Sequence, residues 1–209
     1  FVTLALARTG SALVGGVRVP HHVIALVQGQ LHRRQAAGIL PDHVVLGRRF
    51  RLRSQQLGFE VEAHPVPEET VKAAGMKSVT NLIVRHTFGP GPTIALNAHG
   101  DVVPPGLGWK HDPYGAEIET VDGVTRMYGR GAAVSKSDFA TYAWVLLALK
   151  QAVEEGQKLS GTVELHLTYD EEVGGTVGPG WILDEGLSKP EMAICAGFAH
   201  SIVMAHNGC

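Results

Sequence analysis

A histidine and an aspartate follow a short apolar stretch near the middle of the chain. Residues 93–98 (TIALNA) are mostly apolar and precede His99, Gly100 and Asp101, which VVPPG follows. An apolar run of this length bounded by Gly and Pro predicts a buried strand. Ligands bind at the carboxyl ends of strands in open α/β sheets, and His99 lies where such a strand would deliver a side chain into the binding crevice. Asp101 would then accept the second ring N–H of His99; the alternative is that both residues only cap the strand.

Three acidic residues follow a second predicted strand. Residues 161–168 (GTVELHLT) alternate apolar and polar side chains, and Asp170, Glu171 and Glu172 come shortly after, before Val-Gly-Gly. Adjacent carboxylates repel one another unless a cation or protons lie between them. One glutamate can bind a metal while the other takes a proton from water, which suits metal-assisted hydrolysis. The alternative is a solvent-exposed acidic turn.

These two motifs belong to a longer pattern. Four segments follow one another between residues 57 and 209: NAHGDVVPPGLGWKHDPYGAEI, MYGRGAAVSKSDFATYAWVLLAL, LHLTYDEEVGG and AHNG. In order and spacing this stretch resembles the co-catalytic zinc peptidase family of aminoacylase, acetylornithine deacetylase, succinyl-diaminopimelate desuccinylase and glutamate carboxypeptidases. The resemblance implies that His99 and Glu172 are metal ligands and that Asp101 orients His99. It also implies that Glu171 is the general base that deprotonates the attacking water.

The same resemblance implies a function. It predicts a hydrolase that cleaves the amide bond of an N-acyl amino acid or a small peptide, so the expected partner is a small-molecule amide or peptide substrate. The expected cofactor is a divalent metal, one or two ions, with zinc favoured and cobalt or manganese as alternatives. The family's lid domain is expected to follow this part of the catalytic domain. A homodimer is expected to form through that lid domain.

Two positions depart from the family pattern. The Asp that bridges both metals in the family is replaced by Val134, and a later acidic ligand is replaced by Ala196. The last ligand, a histidine, is expected beyond Cys209. These departures favour an alternative, a non-catalytic relative that keeps the fold and binds a ligand or partner. We also expect residues 1–209 alone to be inactive, because part of the site is absent.

Other residues are candidates to replace the lost ligands. Asp138 lies four residues after Val134, and His200 and His206 lie near the second lost position. A serine hydrolase built on the run Ser135 to Asp138 is a third hypothesis. The chain lacks G-x-S-x-G, which argues against it.

The elements that must position these residues alternate between strands and helices. The pattern predicts an α/β fold with a mixed, mostly parallel sheet sandwiched by helices. Residues 81–85 and 93–98 flank FGPGP and predict a hairpin. A helix is predicted over 138–155, with an apolar stripe, and a short buried strand over 192–195. We expect His166 on the polar face of its strand and not at a metal. Further strands are predicted over 58–62 and 202–205, short helices over 68–74 and 179–185, and a tight turn at Asp122-Gly123.

Composition excludes several classes of protein. The 209 residues are 44% hydrophobic, enough for a substantial core, and the formal net charge of −2 gives no reason to expect nucleic acid or membrane binding. No apolar run approaches the ~18 residues of a membrane span. Two cysteines, Cys195 and Cys209, are too few for a disulfide framework, which favours a reducing compartment and the cytoplasm.

Residues 1–56 differ in character from residues 57–209. They contain eight Arg, no Lys and a single acid, Asp42, without a clear helical or strand period. Three interpretations are open: a targeting segment, a basic arm for nucleic acid, and the wrong-frame translation of a GC-rich gene. We favour the third. We therefore divide the chain at 56–57, with a partial metallohydrolase catalytic domain after it and the lid domain absent.

Overall fold

The structure is a computed structural model, and it describes residues 11–14, 17–20, 51, 54–132 and 136–195. The strands are β1 (Ser11–Val14), β2 (Val17–Pro20), β3 (Val61–Pro65), β4 (Thr80–Gly89), β5 (Thr93–His99), β6 (Glu117–Val121), β7 (Val124–Tyr128), β8 (Gly161–Thr168) and β9 (Met192–Cys195). The helices are α1 (Glu68–Ala73), α2 (Lys136–Glu154) and α3 (Trp181–Asp184). A 3₁₀ turn (Glu171–Val173) and a π-helical turn (Thr176–Gly180) lie between β8 and α3.

A five-stranded sheet with the order β3-β4-β8-β5-β9 forms the centre of the described part. β4 is antiparallel to β3 and β8, whereas β5 is parallel to β8 and β9. The predicted α/β class with a mixed sheet is therefore confirmed. β1 pairs with β2, and β6 with β7, in separate antiparallel pairs. The division of the chain at 56–57 stays a prediction.

The predicted hairpin between β4 and β5 is wrong. β8 lies between them, and the FGPGP stretch carries the chain across the beginning of β8 from one side to the other. Pro90 and Pro92 have no N–H to donate to a hairpin ladder. Pro92 instead accepts the N–H of Thr162 at 2.9 Å. A side chain at Gly91 would lie 2.8 Å from the nitrogen of Gly161, so glycine allows this close crossing.

The core lies between the sheet and α2. Apolar side chains at alternate positions of β4, β5 and β8 face the helix. The predicted apolar stripe of α2 packs against them. The buried members of this cluster include Leu82, Val84, Leu96, Leu165, Leu167, Phe139 and Leu146. None of the helices in the described ranges is long and apolar enough to cross a membrane.

β9 departs from its prediction as a buried strand. Met192 and Ile194 are 52% and 55% exposed. β9 is the edge strand of the described sheet, with β5 as its partner, so its side chains pack against one neighbouring strand only. The strand predicted over 202–205 lies outside the described residues.

The other shorter predictions agree with the structure apart from their ends. The strand predicted over 58–62 begins at Val61, and the tight turn at Asp122-Gly123 joins β6 to β7 with φ of 53° and 75°. Residues with positive φ at both central positions form the type I′ turn that fits a hairpin.

A buried charged network lies on the sheet face opposite α2. Glu164 is 4% exposed and accepts hydrogen bonds from Arg85 Nε at 2.7 Å and from Ser188 Oγ at 2.5 Å. His166, as predicted, lies on this polar face, but it is buried there with its Nε2 3.0 Å from Glu164. Arg85 also contacts Glu62. Burial alone would raise the pKa of Glu164, but its hydrogen-bond partners outweigh burial and lower the pKa to about 2.

Glu164→Gln is expected to lower the free energy of unfolding at pH 7 by about 2 kcal/mol, because it removes the more buried of the two carboxylates that pair with Arg85. The folded-state pKa lies below the ordinary value of 4.5, so this stabilisation is present above pH 4.5 and is lost as the pH falls towards 2. Chemical denaturation of both proteins across this range measures the difference. Exposed Glu60→Gln is the matched control, and equal stabilities of wild type and Glu164→Gln at pH 7 would contradict the prediction.

Candidate metal centre

Parallel pairing brings the two predicted strand-end motifs together. His99, the last residue of β5, lies opposite Thr168, the last residue of β8. The N–H of Gly100 donates to the carbonyl of Thr168 at 2.8 Å, so the two chains stay side by side as they leave the sheet. The acidic residues after β8 therefore start beside the histidine after β5.

Three side chains form a candidate metal centre at this edge. One donor atom from each of His99, Glu171 and Glu172 lies within 4.8 Å of the other two. Nε2 of His99 lies 3.6 Å from a carboxylate oxygen of Glu171. One imidazole nitrogen with two carboxylates is a donor set that suits zinc and other divalent cations. The juxtaposed negative charges also fit a site that a cation would stabilise.

Asp101 connects the two motifs. Nδ1 of His99 lies 3.3 Å from the carboxylate and 3.2 Å from the backbone carbonyl oxygen of Asp101. The second carboxylate oxygen of Asp101 accepts the backbone N–H of Glu172 at 3.1 Å. A proton on Nδ1 would thus be held by Asp101, and the lone pair of Nε2 would remain for a metal.

The electrostatics of this pair follow from its burial and its charges. Burial favours neutral His99, but the hydrogen bond and charge of Asp101 outweigh it, so the pKa of His99 is raised. Lys136 opposes this shift and Glu171 adds to it. Burial likewise opposes ionisation of Asp101, but the hydrogen bonds from His99 and Glu172 lower its pKa. Asp101 is therefore ionised at neutral pH.

Asp170 is a site-building residue to which the sequence assigned no role of its own. It is 2% exposed and turns inwards, with a φ of 83° in the left-handed region. Its carboxylate accepts the N–H of Val177 at 2.7 Å, and its carbonyl accepts the N–H groups of Val173 and Gly175 at 3.0 and 2.8 Å. Burial raises its pKa, and backbone N–H groups that include that of Gly178 oppose the rise. Asp170 thereby folds the loop that carries the two glutamates, and the only sequence signal was its place before them.

Of the proposed substitute ligands, Asp138 lies in the described part of the chain, and it is not a member of the three-residue cluster. Asp138 lies half-buried in the first turn of α2, where burial raises its pKa and the charge of His99 partly opposes the rise. It is therefore near the centre without joining the group, and its role stays a prediction. His200 and His206 lie outside the described residues, as do Val134 and Ala196.

Comparison with known proteins decides the family. The model of peptidase family M20/M25/M40 matches residues 95–207, which is 113 of the 209 residues. The chain belongs to this family. The M20 match includes both strand-end motifs and confirms the resemblance that the motifs predicted.

Curated relatives agree with the M20 assignment. The chain is 40% identical over 106 residues to succinyl-diaminopimelate desuccinylase of Acidiphilium cryptum, covering 51% of this chain and 26% of that protein. It is 42% identical over 96 residues to the desuccinylase of Wolinella succinogenes, covering 46% and 23%. The chain thus spans about a quarter of the length of these relatives.

Solved structures share the fold. An M20 family metallo-carboxypeptidase from Sulfolobus solfataricus matches with a TM-score of 0.60 at 20% identity, over 85% of this chain and 37% of that one. Human carnosine dipeptidase 1 matches with a TM-score of 0.54 at 20% identity, over 84% and 36%. At this identity the likeness concerns the fold alone.

Gly178→Ala is expected to disturb the M20 site through the loop. The added Cβ would overlap the carbonyl oxygen of Tyr169 and the carboxylate of Asp170, so the loop must shift. We expect a loss of ~1–3 kcal/mol in stability and weaker zinc binding, measured by thermal unfolding and calorimetric titration. Val173→Ala, at a position of the same loop that is 70% exposed, is the control. Zinc binding that Gly178→Ala leaves at the wild-type level would disprove the role of this packing.

Proposed function

We propose that the full-length protein is a metal-dependent hydrolase that cleaves the amide bond of an N-acyl amino acid or a small peptide. The observation that carries this proposal is the cluster of His99, Glu171 and Glu172 at the adjacent ends of β5 and β8. Membership of an M20 peptidase family supports the reaction class.

Each residue has a distinct part in this proposal. His99 and Glu172 hold the metal, and Asp101 keeps the Nε2 lone pair of His99 directed at it. The metal, when bound, supplies Lewis acidity for water and for the amide carbonyl. Glu171 accepts the proton of the attacking water and passes it to the leaving amine. Its side chain is 55% exposed, which supports access to water and substrate.

The finer points are also proposals. Zinc is the favoured metal because imidazole nitrogen and carboxylate oxygen, the donors of His99 and Glu172, are ligands that zinc prefers in proteins. Relatives named succinyl-diaminopimelate desuccinylase make an N-succinyl amino acid the first substrate to test. A homodimer through a lid domain outside this chain and a cytoplasmic location remain part of the proposal.

Glu171→Gln is expected to lower kcat at least ~100-fold, because the amide cannot accept the proton. Zinc binding should persist, since His99 and Glu172 remain. The value of kcat is measured with the full-length protein on succinyl-diaminopimelate and on a panel of N-acyl amino acids and dipeptides. Zinc binding is measured by calorimetry. The matched control is Glu185→Gln, an exposed position after α3. Wild-type turnover in Glu171→Gln would refute the assigned base, and loss of zinc would make Glu171 a ligand instead.

His99→Gln is expected to reduce the zinc content of the purified full-length protein to below half of the wild-type value. The reason is the loss of the one imidazole donor in the cluster. Elemental analysis after mild dialysis measures it, with His86→Gln as the control because that ring packs against Phe88 instead. A wild-type protein that holds no zinc even when zinc is supplied would favour the non-catalytic binding role that Val134 suggests.

A further inference from the structure

A lysine at the start of α2 contacts the metal centre from outside the three-residue cluster. Nζ of Lys136 donates to the backbone carbonyl oxygen of Asp101 at 2.7 Å. This is the same oxygen that lies 3.2 Å from Nδ1 of His99. A carbonyl oxygen has two lone pairs, so it can accept both donors at once.

The position of Lys136 is unfavourable for the helix itself. Lys136 is the first residue of α2, and the N-terminal end of a helix carries partial positive charge that disfavours a cation. The contact with the carbonyl of Asp101 is one that can offset this cost. The carbonyl that it holds lies in a stretch, residues 100–106, that has no strand or helix bonds to fix it.

The neighbouring turn is shaped to admit this lysine. A Cβ at Gly131 would lie 3.3 Å from both Cε and Nζ of Lys136 and 2.6 Å from Cγ1 of Val102. Gly131 also has a φ of 72°, which other residues rarely adopt. A side chain at position 131 would therefore crowd Lys136 where it contacts the segment after His99.

We propose that Lys136 is a positioning residue that holds the carbonyl of Asp101 in place and so fixes His99 as the Nδ1–H tautomer, in which the lone pair is on Nε2, on the side of the metal site. The inference deepens the proposed function, because that function needs His99 as a ligand. The inference about Lys136 can be tested separately from the hydrolase function, because the tautomer is a property of the metal-free protein.

The test is the tautomer of His99 in the metal-free full-length protein. Selective ¹⁵N labelling of histidine and NMR at pH 9 report which nitrogen carries the proton, with the His99 signals assigned from His99→Gln. Wild type should show the Nδ1–H tautomer. Lys136→Met, which keeps the chain length but cannot donate, should show a mixture with Nε2–H and a zinc dissociation constant raised about 10-fold. Lys150→Met removes a lysine from the same helix that lies over the Phe59 ring, and it should leave both unchanged.

Two results would overturn the proposal. An Nε2–H tautomer in the wild type would overturn it. This measurement needs no variant, so the proposal can still be tested if Lys136→Met does not fold. A folded Lys136→Met that keeps the Nδ1–H tautomer would do so as well. Absence of turnover in the wild type, by contrast, would count against the proposed hydrolase and leave the tautomer result standing.

Discussion

The parallel pairing of β5 with β8 is the constraint on which the rest of the site depends. His99 lies opposite Thr168 in this register, and the bond from Gly100 to Thr168 continues the pairing past the strand ends. Because parallel strands end at the same edge of a sheet, the histidine and the acidic turn must lie close together. A shift of one residue in β5 would turn His99 to the opposite face of the sheet, away from Glu171.

The segment that carries the glutamates is held at both ends by buried polar groups. At its beginning, Asp170 binds the backbone around Val177. At its far end, Ser188 donates to Glu164, which is itself paired with Arg85 across the sheet. Burying these carboxylates is costly, and their hydrogen bonds offset that cost. The exposed glutamates between these anchors are therefore placed by groups that take no part in the proposed chemistry.

Local sequence signals predict individual helices and strands better than they predict which strands pair with one another. Alternation, apolar stripes and glycine or proline boundaries depend on adjacent residues, so α2, β8 and the turn at Asp122-Gly123 were predicted with small errors at their ends. The order of strands depends on contacts between distant segments, and the insertion of β8 between β4 and β5 was not visible. The site shows the same division. The positions of His99 and the two glutamates follow from the strand ends. The inward turn of Asp170 rests on a left-handed backbone, which aspartate adopts more often than most residues but which its presence alone does not predict.

The geometry of the acidic turn bears on how the two glutamates divide their work. Glu171 and Glu172 are successive residues of a 3₁₀ turn, in which side chains diverge by about 120°. Their carboxylates therefore approach His99 from different directions, although one donor atom of each lies within 4.8 Å of the histidine donor atom. The backbone of Glu172 is tied to Asp101, which itself holds His99, whereas the side chain of Glu171 is 55% exposed. In the proposed division of work, Glu172, whose backbone is tied to the partner of His99, shares the metal with the histidine. Glu171, whose carboxylate lies 3.6 Å from Nε2 of His99, takes the proton of the water at the metal.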